Sequence, residues 1–168
     1  PMTPATSLIN VITKDPNVIF YQWEDEIAVA MAMLGAKFAG KRAMCWTSGW
    51  GFALMSESIS FSMEAEIGWV YILCQRAGPS TWTPTFSEQG DMDYALCPTF
   101  WDLRPIVVYP SSFEQAYNLI GKALNWSDIY QQPLIFLLDK EFGEWHISTL
   151  CADLVKESVN VWKKVENV

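Results

Sequence analysis

The sequence predicts an α/β fold, with one parallel sheet that carries helices on both faces. Short apolar runs alternate along the chain with segments of helical periodicity, which is the order that connects parallel strands through helices. The run WVYILC at 69–74 is apolar at every position, as in a strand covered on both faces. The 168 residues match the size of one domain, so 1–168 is expected to form a single unit.

Each element is predicted from its own local signals. TPATSLINVI is expected to form a short helix, with Thr3 as its N-cap and Pro4 in its first turn. A capping box of Ser111 and Glu114 marks the start of the last predicted helix. Strands are expected at 18–23, 42–46, 69–74, 105–109 and 133–138. Helices are expected at 24–40, 52–65 and 111–130.

Composition excludes several classes of function. The net charge is −8, and the eleven Lys and Arg form no basic stripe, so the sequence predicts no nucleic-acid binding. No apolar run approaches the roughly eighteen residues that span a bilayer. The first residues also lack the charged and apolar regions of a targeting signal. We therefore expect a cytoplasmic location and no membrane partner.

The cysteines are spaced too widely for a metal centre. Cys45, Cys74, Cys97 and Cys151 form no C-x-x-C pair, and His146 is the single histidine. The wide spacing of the cysteines and the single histidine argue against a structural zinc site and against iron–sulfur ligation within the chain, so no metal site is predicted. The apolar neighbours of most of these residues favour buried, reduced thiols.

A hydroxyl-rich loop follows the central apolar run. QRAGPSTWTPTFSEQGD, at 75–91, holds one cation, Arg76, among three Thr and two Ser. Ligands of parallel sheets bind beyond the carboxyl ends of the strands, where this loop, TSGWG at 47–51 and residues 24–26 are predicted to meet. The residues expected to share that edge are Thr3, Glu26, Ser48, Arg76, Ser80, Thr81 and Thr85.

Five stretches of the chain carry a family resemblance. PMTPAT, EDEIAVAMAMLGAKFAGKRAM, TSGWGFALMSE, QRAGPSTWTPTFSEQGD and PSSFEQAYNL resemble, in order and spacing, the pyrimidine-binding domain of the alpha subunit of 2-oxoacid:ferredoxin oxidoreductases. The resemblance extends from Pro1 to about Trp145. It implies a thiamine-diphosphate-binding fold of the pyrimidine (PYR) type, with the first strand and helix of the family domain expected to be absent from 1–168.

The resemblance implies residues for the cofactor. Glu26 matches the carboxylate that pairs with N1′ of the aminopyrimidine and so activates thiamine diphosphate, which carries the difficult chemistry. Ser48 and Gly49 match positions beside the same ring. From the residues alone, Glu24, Asp25 and Glu26 could instead complement a helix N-terminus.

The resemblance also implies residues for a 2-oxoacid substrate. Arg76 matches an arginine that binds the substrate carboxylate, a task suited to the paired donors of a guanidinium. Thr3 matches a threonine at the substrate carbonyl, and Thr85 matches a threonine that shapes the pocket. The alternatives are a surface ion pair of Arg76 with Glu88 or Asp91, and an ordinary N-cap for Thr3.

The resemblance further implies that the chain acts within a complex. In the family, a diphosphate-binding beta domain or subunit holds the cofactor's diphosphate and magnesium, and electrons reach ferredoxin through iron–sulfur clusters of the full complex. Here the Gly90–Asp91 pair lacks the second Gly of a GDG motif, and cluster cysteines are lacking. We expect the chain alone to bind no cofactor and to be inactive, and we expect an oligomer.

Six tryptophans are unusual for the family. Five stand where family chains usually carry small residues or proline, and Trp23 looks oversized for its position. An indole adds a large volume, so Trp50 and Trp82 are expected to fill the space of the pyrimidine or the 2-oxoacid. An alternative function is therefore a non-catalytic or redesigned scaffold of the same fold, whose tryptophans fill the site or form a partner-binding surface. The six are Trp23, Trp46, Trp50, Trp69, Trp82 and Trp101.

Overall fold

The computed structural model describes residues 2–79 and 83–145. Its four strands form one parallel sheet in the order β1-β2-β4-β3, which confirms the α/β class and the parallel pairing. The strands are β1 (Met44–Thr47), β2 (Val70–Cys74), β3 (Ile106–Val108) and β4 (Leu134–Leu138). In register, Val70 of β2 lies between Met44 of β1 and Leu134 of β4.

Seven helices accompany these strands in the described ranges. The structure splits the predicted helix at 52–65 in two and adds short helices after the 75–91 loop and after β4. The helices are α1 (Ala5–Ile12), α2 (Glu26–Phe38), α3 (Gly49–Ala53), α4 (Ser56–Glu64), α5 (Met92–Leu96), α6 (Phe113–Tyr130) and α7 (Lys140–Glu144).

Hydrophobic cores cover both faces of the sheet. Along β2, Tyr71 and Leu73 face the core formed with α2, α3 and α4, whereas Val70 and Ile72 face the core formed with α1 and α6. This alternation follows from the two-residue period of a strand and explains why 69–74 carries no charged side chain. Helices therefore lie on both faces, as the sequence predicts.

The predicted strand at 18–23 is wrong. These residues have no strand pairing, and Ile19 and Tyr21 are 82% and 70% exposed. An apolar run becomes a strand only where another backbone supplies hydrogen-bond partners, and β1 pairs with β2 alone among the described strands. The sheet therefore has four described strands rather than the five predicted.

Both predicted helix caps are displaced by one residue. Helix α1 begins at Ala5 with Pro4 at the N-cap position, so the expectation that Thr3 caps this helix is wrong. Helix α6 is capped by Ser112, whose hydroxyl accepts from Gln115 N at 3.2 Å, rather than by Ser111 with Glu114. Two adjacent serines offer the same cap, and the carboxamide of Gln115 decides between them by accepting from Ser111 N at 2.6 Å.

Candidate functional site

An open cleft of about 370 Å³ lies at the carboxyl ends of β1 and β2. Its walls come from α3, from the 76–79 segment that follows β2, and from residues between 88 and 94. This is the edge at which parallel sheets place their ligands. The cleft lies at the carboxyl edge where the sequence predicts a ligand to bind.

Arg76 is the cation of this cleft. It lines the cleft although only 7% of its surface is exposed, because it directly follows the buried strand β2 and Gln75. Its Nη1 donates to the Thr3 carbonyl oxygen at 2.8 Å. Among the described residues no carboxylate forms an ion pair with it, so the surface ion pair considered from the sequence is not found there.

Thr3 joins the site through its backbone. The same carbonyl oxygen that accepts from Arg76 also accepts from Ser48 Oγ at 3.1 Å. Ser48 is fully buried, and it links the end of β1 to the segment that precedes α1. Helix α7 holds that segment from behind, since a Cβ on Gly143 would lie 2.7 Å from the Pro4 carbonyl oxygen. Thr3, Ser48 and Arg76 thus meet at one point.

Glu26 lies on the other side of α3. It is the first residue of α2 and is partly buried, while its neighbour Asp25 caps the helix by accepting from Ala28 N at 2.7 Å. A Cβ on Gly51 would lie 2.7 Å from Glu26 Oε1 and would also collide with Thr47 Oγ1. Since Asp25 takes the capping role, the Glu26 carboxylate is left to face α3.

Asp91 makes the equivalent contact with Gly49. A Cβ on Gly49 would lie 2.8 Å from the carboxyl carbon of Asp91, so glycine is required for this close approach. Burial raises the pKa of Asp91 and the nearby charge of Glu88 adds to the rise, whereas the Arg76 guanidinium and a hydrogen bond from the Arg76 backbone N–H lower it. Asp91 Oδ2 is buried with no hydrogen-bond partner among the described residues.

The structure leaves other predicted residues apart from this site. Thr85 is exposed and does not line the cleft. Ser80, Thr81 and Trp82 lie outside the described residues.

The tryptophans have differing positions. Trp50 forms part of the cleft wall, is 48% exposed and leaves the cleft volume open. Trp69 is buried in the core at 1% exposure, and Trp101 is 79% exposed. Trp46 packs partly buried against the α1 and α6 core, and Trp23 is exposed. Of the described tryptophans named from the sequence, only Trp50 therefore borders the cleft.

A second polar cluster was missed from the sequence. Asp139 directly follows β4 and accepts from Gln75 Nε2 and Gln89 Nε2, each at 3.2 Å, and from the Tyr109 hydroxyl. Burial and the Asp139 carboxylate raise the pKa of Tyr109 to about 12. Gln75, Tyr109 and Asp139 follow β2, β3 and β4, so the polar residue after each apolar run was the signal available.

The three cysteines within the described residues are free thiols and match no metal site. Cys45 and Cys74 are buried as expected, whereas Cys97 is exposed, since it follows the short helix α5 rather than a strand. Burial raises the pKa of Cys74 to about 12 and raises that of Cys45 further, with help from the negative charge of Glu26. Cys151 lies outside the described residues, within which no group of His, Cys, Asp or Glu could hold a metal ion.

None of the described helices is both long and apolar enough to cross a membrane.

Comparison with known proteins identifies relatives across nearly the whole chain. The alpha subunit of 2-oxoacid:ferredoxin oxidoreductase 2 from Aeropyrum pernix is 40% identical over 144 residues, covering 86% of this chain and 22% of that protein. The 2-oxoglutarate synthase subunit KorA from Methanocaldococcus jannaschii is 34% identical over 159 residues, covering 93% of this chain and 43% of that protein. The chain therefore spans less than half the length of these relatives.

A solved structure shares the fold. It is the 2-oxoglutarate:ferredoxin oxidoreductase from Magnetococcus marinus with 2-oxoglutarate, coenzyme A and succinyl-CoA bound, similar with a TM-score of 0.78 and 38% identity over 82% of this chain and 24% of that one. The family model described as pyruvate flavodoxin/ferredoxin oxidoreductase, thiamine diP-bdg, matches residues 1–163. The chain therefore belongs to the thiamine-diphosphate-binding domain family of the pyruvate flavodoxin/ferredoxin oxidoreductases.

Proposed function

We propose that the chain supplies the pyrimidine side of the active site of a 2-oxoacid:ferredoxin oxidoreductase. That enzyme would convert a 2-oxoacid and coenzyme A to an acyl-CoA with transfer of electrons to ferredoxin. The observation that carries the proposal is a buried arginine that lines an open cleft at the ligand-binding edge of the sheet. Family membership and the names of the relatives support it.

Glu26 is the residue proposed to bind the cofactor's pyrimidine. When bound, thiamine diphosphate would supply the carbanion chemistry that decarboxylation requires. The glycine at position 51 leaves room for the Glu26 carboxylate directly beside α3, and a partly buried carboxylate there can share a proton with a ring nitrogen. Gly49 keeps the neighbouring backbone free of a side chain. Fully buried Ser48 would contribute through its hydrogen bond to the Thr3 carbonyl.

Arg76 is the residue proposed to bind the substrate carboxylate. A guanidinium has five N–H donors, and one of its nitrogens is already held by the Thr3 carbonyl at 2.8 Å. That bond orients the group, which lowers the conformational entropy lost when a carboxylate binds. The Thr3 hydroxyl is proposed to bind the substrate carbonyl. Thr85, exposed here, would reach the pocket only in the assembled enzyme.

A partner is proposed to complete the site. A diphosphate-binding beta domain or subunit would hold the diphosphate and magnesium, and ferredoxin would be reached only through the full complex. The open cleft and the half-exposed Trp50 on its wall suit a surface that another domain covers. We propose that the assembly forms through the face bearing residues 46–50 and 76–90, and that the isolated chain has no turnover.

An alternative function is favoured by one observation. Exposed apolar side chains at 18–23, with the rings of Tyr21 and Trp23 at 6.2 Å from each other, give a surface typical of protein contacts. A non-catalytic scaffold of the same fold would use this surface and not the cleft. Catalysis by the assembled protein separates the two functions.

The test is turnover of a 2-oxoacid by the full complex, followed as reduction of ferredoxin. Arg76→Gln is expected to raise the KM for the 2-oxoacid by about 10-fold or more, because hydrogen bonds to a charged group are lost. Arg104→Gln is the matched control, since Arg104 is exposed and donates only to nearby backbone carbonyls in the described chain. A complex without 2-oxoacid turnover, or equal KM values for all three proteins, would contradict the proposal.

A further inference from the structure

The cleft that contains Arg76 has one apolar wall. Trp50 and Ala53 both line the cleft, and because they lie three residues apart on α3 they share one face of that helix. Phe52, between them in sequence, is instead fully buried in the core. Helix α3 therefore directs one apolar ring inward and presents an indole and a methyl group to the cleft.

Tyr94 extends this apolar wall from α5. Its ring lies edge-on to that of Phe52, with the ring centroids 5.5 Å apart, and its hydroxyl shares a hydrogen bond with Ser56 Oγ. Because this hydroxyl already has a partner, Tyr94 lines the cleft mainly with its ring. A ligand group placed beside Trp50, Ala53 and Tyr94 therefore meets apolar surface, and contact with it favours an apolar group over a charged one.

The charged groups of the cleft are unequal in number and sign. Among the described residues that line it, Arg76 is the only cation, whereas Glu88 and Asp91 are both acids. Glu88 is held at the wall because its Oε2 accepts a hydrogen bond from Gly78 N at 3.0 Å. One carboxylate of a ligand can therefore bind Arg76, but a second carboxylate would meet acidic side chains and no further cation of the described lining.

We propose that the site takes a monocarboxylic 2-oxoacid with an apolar side chain, in preference to a dicarboxylic one such as 2-oxoglutarate. This inference rests on the proposed function and deepens it by naming the substrate class. Arg76 binds the carboxylate that all 2-oxoacids share, and the rings of Trp50 and Tyr94 contact the apolar side chain. Glu88 disfavours a second carboxylate, so an attractive wall and a repulsive charge together set the specificity.

The test compares kcat/KM of the full complex for 4-methyl-2-oxopentanoate, pyruvate and 2-oxoglutarate, followed as reduction of ferredoxin. The competitor is 2-oxoglutarate because that acid is bound in the solved relative from Magnetococcus marinus. The wild-type complex is expected to use 4-methyl-2-oxopentanoate with a kcat/KM about 10-fold or more above that for 2-oxoglutarate. A higher kcat/KM for 2-oxoglutarate would overturn the inference and leave the proposed function standing. Absence of turnover with every one of these acids would refute both.

Glu88→Gln tests the repulsive charge. The Gln carbonyl oxygen can still accept from Gly78 N, so this variant removes the charge and keeps the contact. Its kcat/KM for 2-oxoglutarate is expected to rise about 2- to 5-fold, the range for an exposed charge pair, while that for 4-methyl-2-oxopentanoate stays unchanged. Glu64→Gln is the matched control, since Glu64 is an exposed acid at the end of α4 and does not line the cleft. The same change for both acids, or no change, would overturn the role of Glu88.

Trp50→Ala tests the apolar wall. Because Trp50 is half-exposed, its removal leaves the hydrophobic cores intact. The kcat/KM for 4-methyl-2-oxopentanoate should fall about 10-fold relative to that for pyruvate, whose single methyl group buries less surface against the indole. Trp101→Ala, at an exposed position outside the cleft, should keep the wild-type ratio of the two values. An unchanged ratio in Trp50→Ala would show that the substrate side chain does not contact this wall, and would overturn the inference.

Discussion

Two carboxylates flank the short helix α3, and their surroundings differ. Glu26 packs against Gly51 on one side, and its charge acts on the buried thiol of Cys45, whose pKa it helps to raise. Asp91 packs against Gly49 on the other side, where burial raises its pKa and the charge of Arg76 opposes that rise. Glu26 forms no ion pair among the described residues.

This difference separates two tasks across one turn of helix. A carboxylate without a cationic partner is suited to share a proton with a ring nitrogen. Asp91 instead lines the cleft, where Arg76 is proposed to bind an anion. The two glycines allow both carboxylates to approach the backbone of α3, so the tasks lie close together without merging.

The largest effect is expected from Glu26→Gln. The amide cannot exchange a proton with the pyrimidine nitrogen, so kcat of the full complex should fall by about 10²–10⁴-fold, the range for loss of a positioned acid–base group. Steady-state kinetics with a 2-oxoacid measure it. Glu24→Gln, an exposed acid two residues earlier, serves as the control and should retain wild-type kcat. Equal kcat values for both variants would remove the distinction between Glu26 and its neighbours.

A smaller effect is expected from Gly51→Ala. The added Cβ would displace the Glu26 carboxylate and the Thr47 hydroxyl, and a shift near 1 Å in a catalytic group lowers kcat by roughly 10²-fold or less. Gly35→Ala is the matched control, because no atom lies within 4 Å of a Cβ there and Ala favours the exposed interior of α2. It should stabilise the protein by up to about 1 kcal/mol without affecting kcat. Wild-type kcat in Gly51→Ala would mean that the contact has no catalytic consequence.

Ser48→Ala probes the shared carbonyl on the Arg76 side. Loss of the 3.1 Å bond to Thr3 should cost about 1 kcal/mol of stability, while the Arg76 bond to the same oxygen keeps the segment in place. We expect a lower denaturant midpoint and an increase of only a few-fold in the KM for the 2-oxoacid. An increase as large as that of Arg76→Gln would show that Ser48 contributes more than this support.

The smallest effect concerns stability and pH. Because burial raises the pKa of Asp91 above its ordinary value of 3.8, the folded state favours the neutral carboxyl, and ionisation reduces stability as the pH rises. Asp91→Asn should therefore raise Tm slightly at neutral pH, and the gain should vanish below the ordinary pKa, where the wild-type carboxyl is protonated in both states. Thermal unfolding between about pH 3 and pH 7 measures this difference. If the Tm of Asp91→Asn instead falls below that of the wild type by a margin that grows with pH, the predicted sign is wrong.

The inner strands of the sheet were predictable from the sequence, but the number of strands was not. Val70 and Leu134 lie in runs whose apolar character at every position requires cover on both faces, so β2 and β4 follow from composition alone. Residues 18–23 carry a similar signal, but strand formation depends on a pairing partner that local sequence does not specify.

The site was predictable in its residue types and less so in its contacts. Arg76 and Ser48 were expected at the carboxyl edge because they follow apolar runs. Their meeting at the Thr3 backbone carbonyl depends on tertiary packing, which side-chain patterns do not encode. The contact of Asp91 with Gly49 was not predictable for the same reason. It joins two segments about forty residues apart, and local sequence patterns do not report contacts over such a separation.

Binding of the cofactor tests the central claim most directly. Thiamine diphosphate with magnesium should be titrated into the full complex while tryptophan fluorescence is followed, since Trp50 borders the cleft. We predict saturable quenching for the wild-type protein and for Glu24→Gln, and loss of most of that affinity for Glu26→Gln. Absence of binding to the wild-type complex, or equal affinity for Glu26→Gln, would contradict the assignment of Glu26 to the pyrimidine.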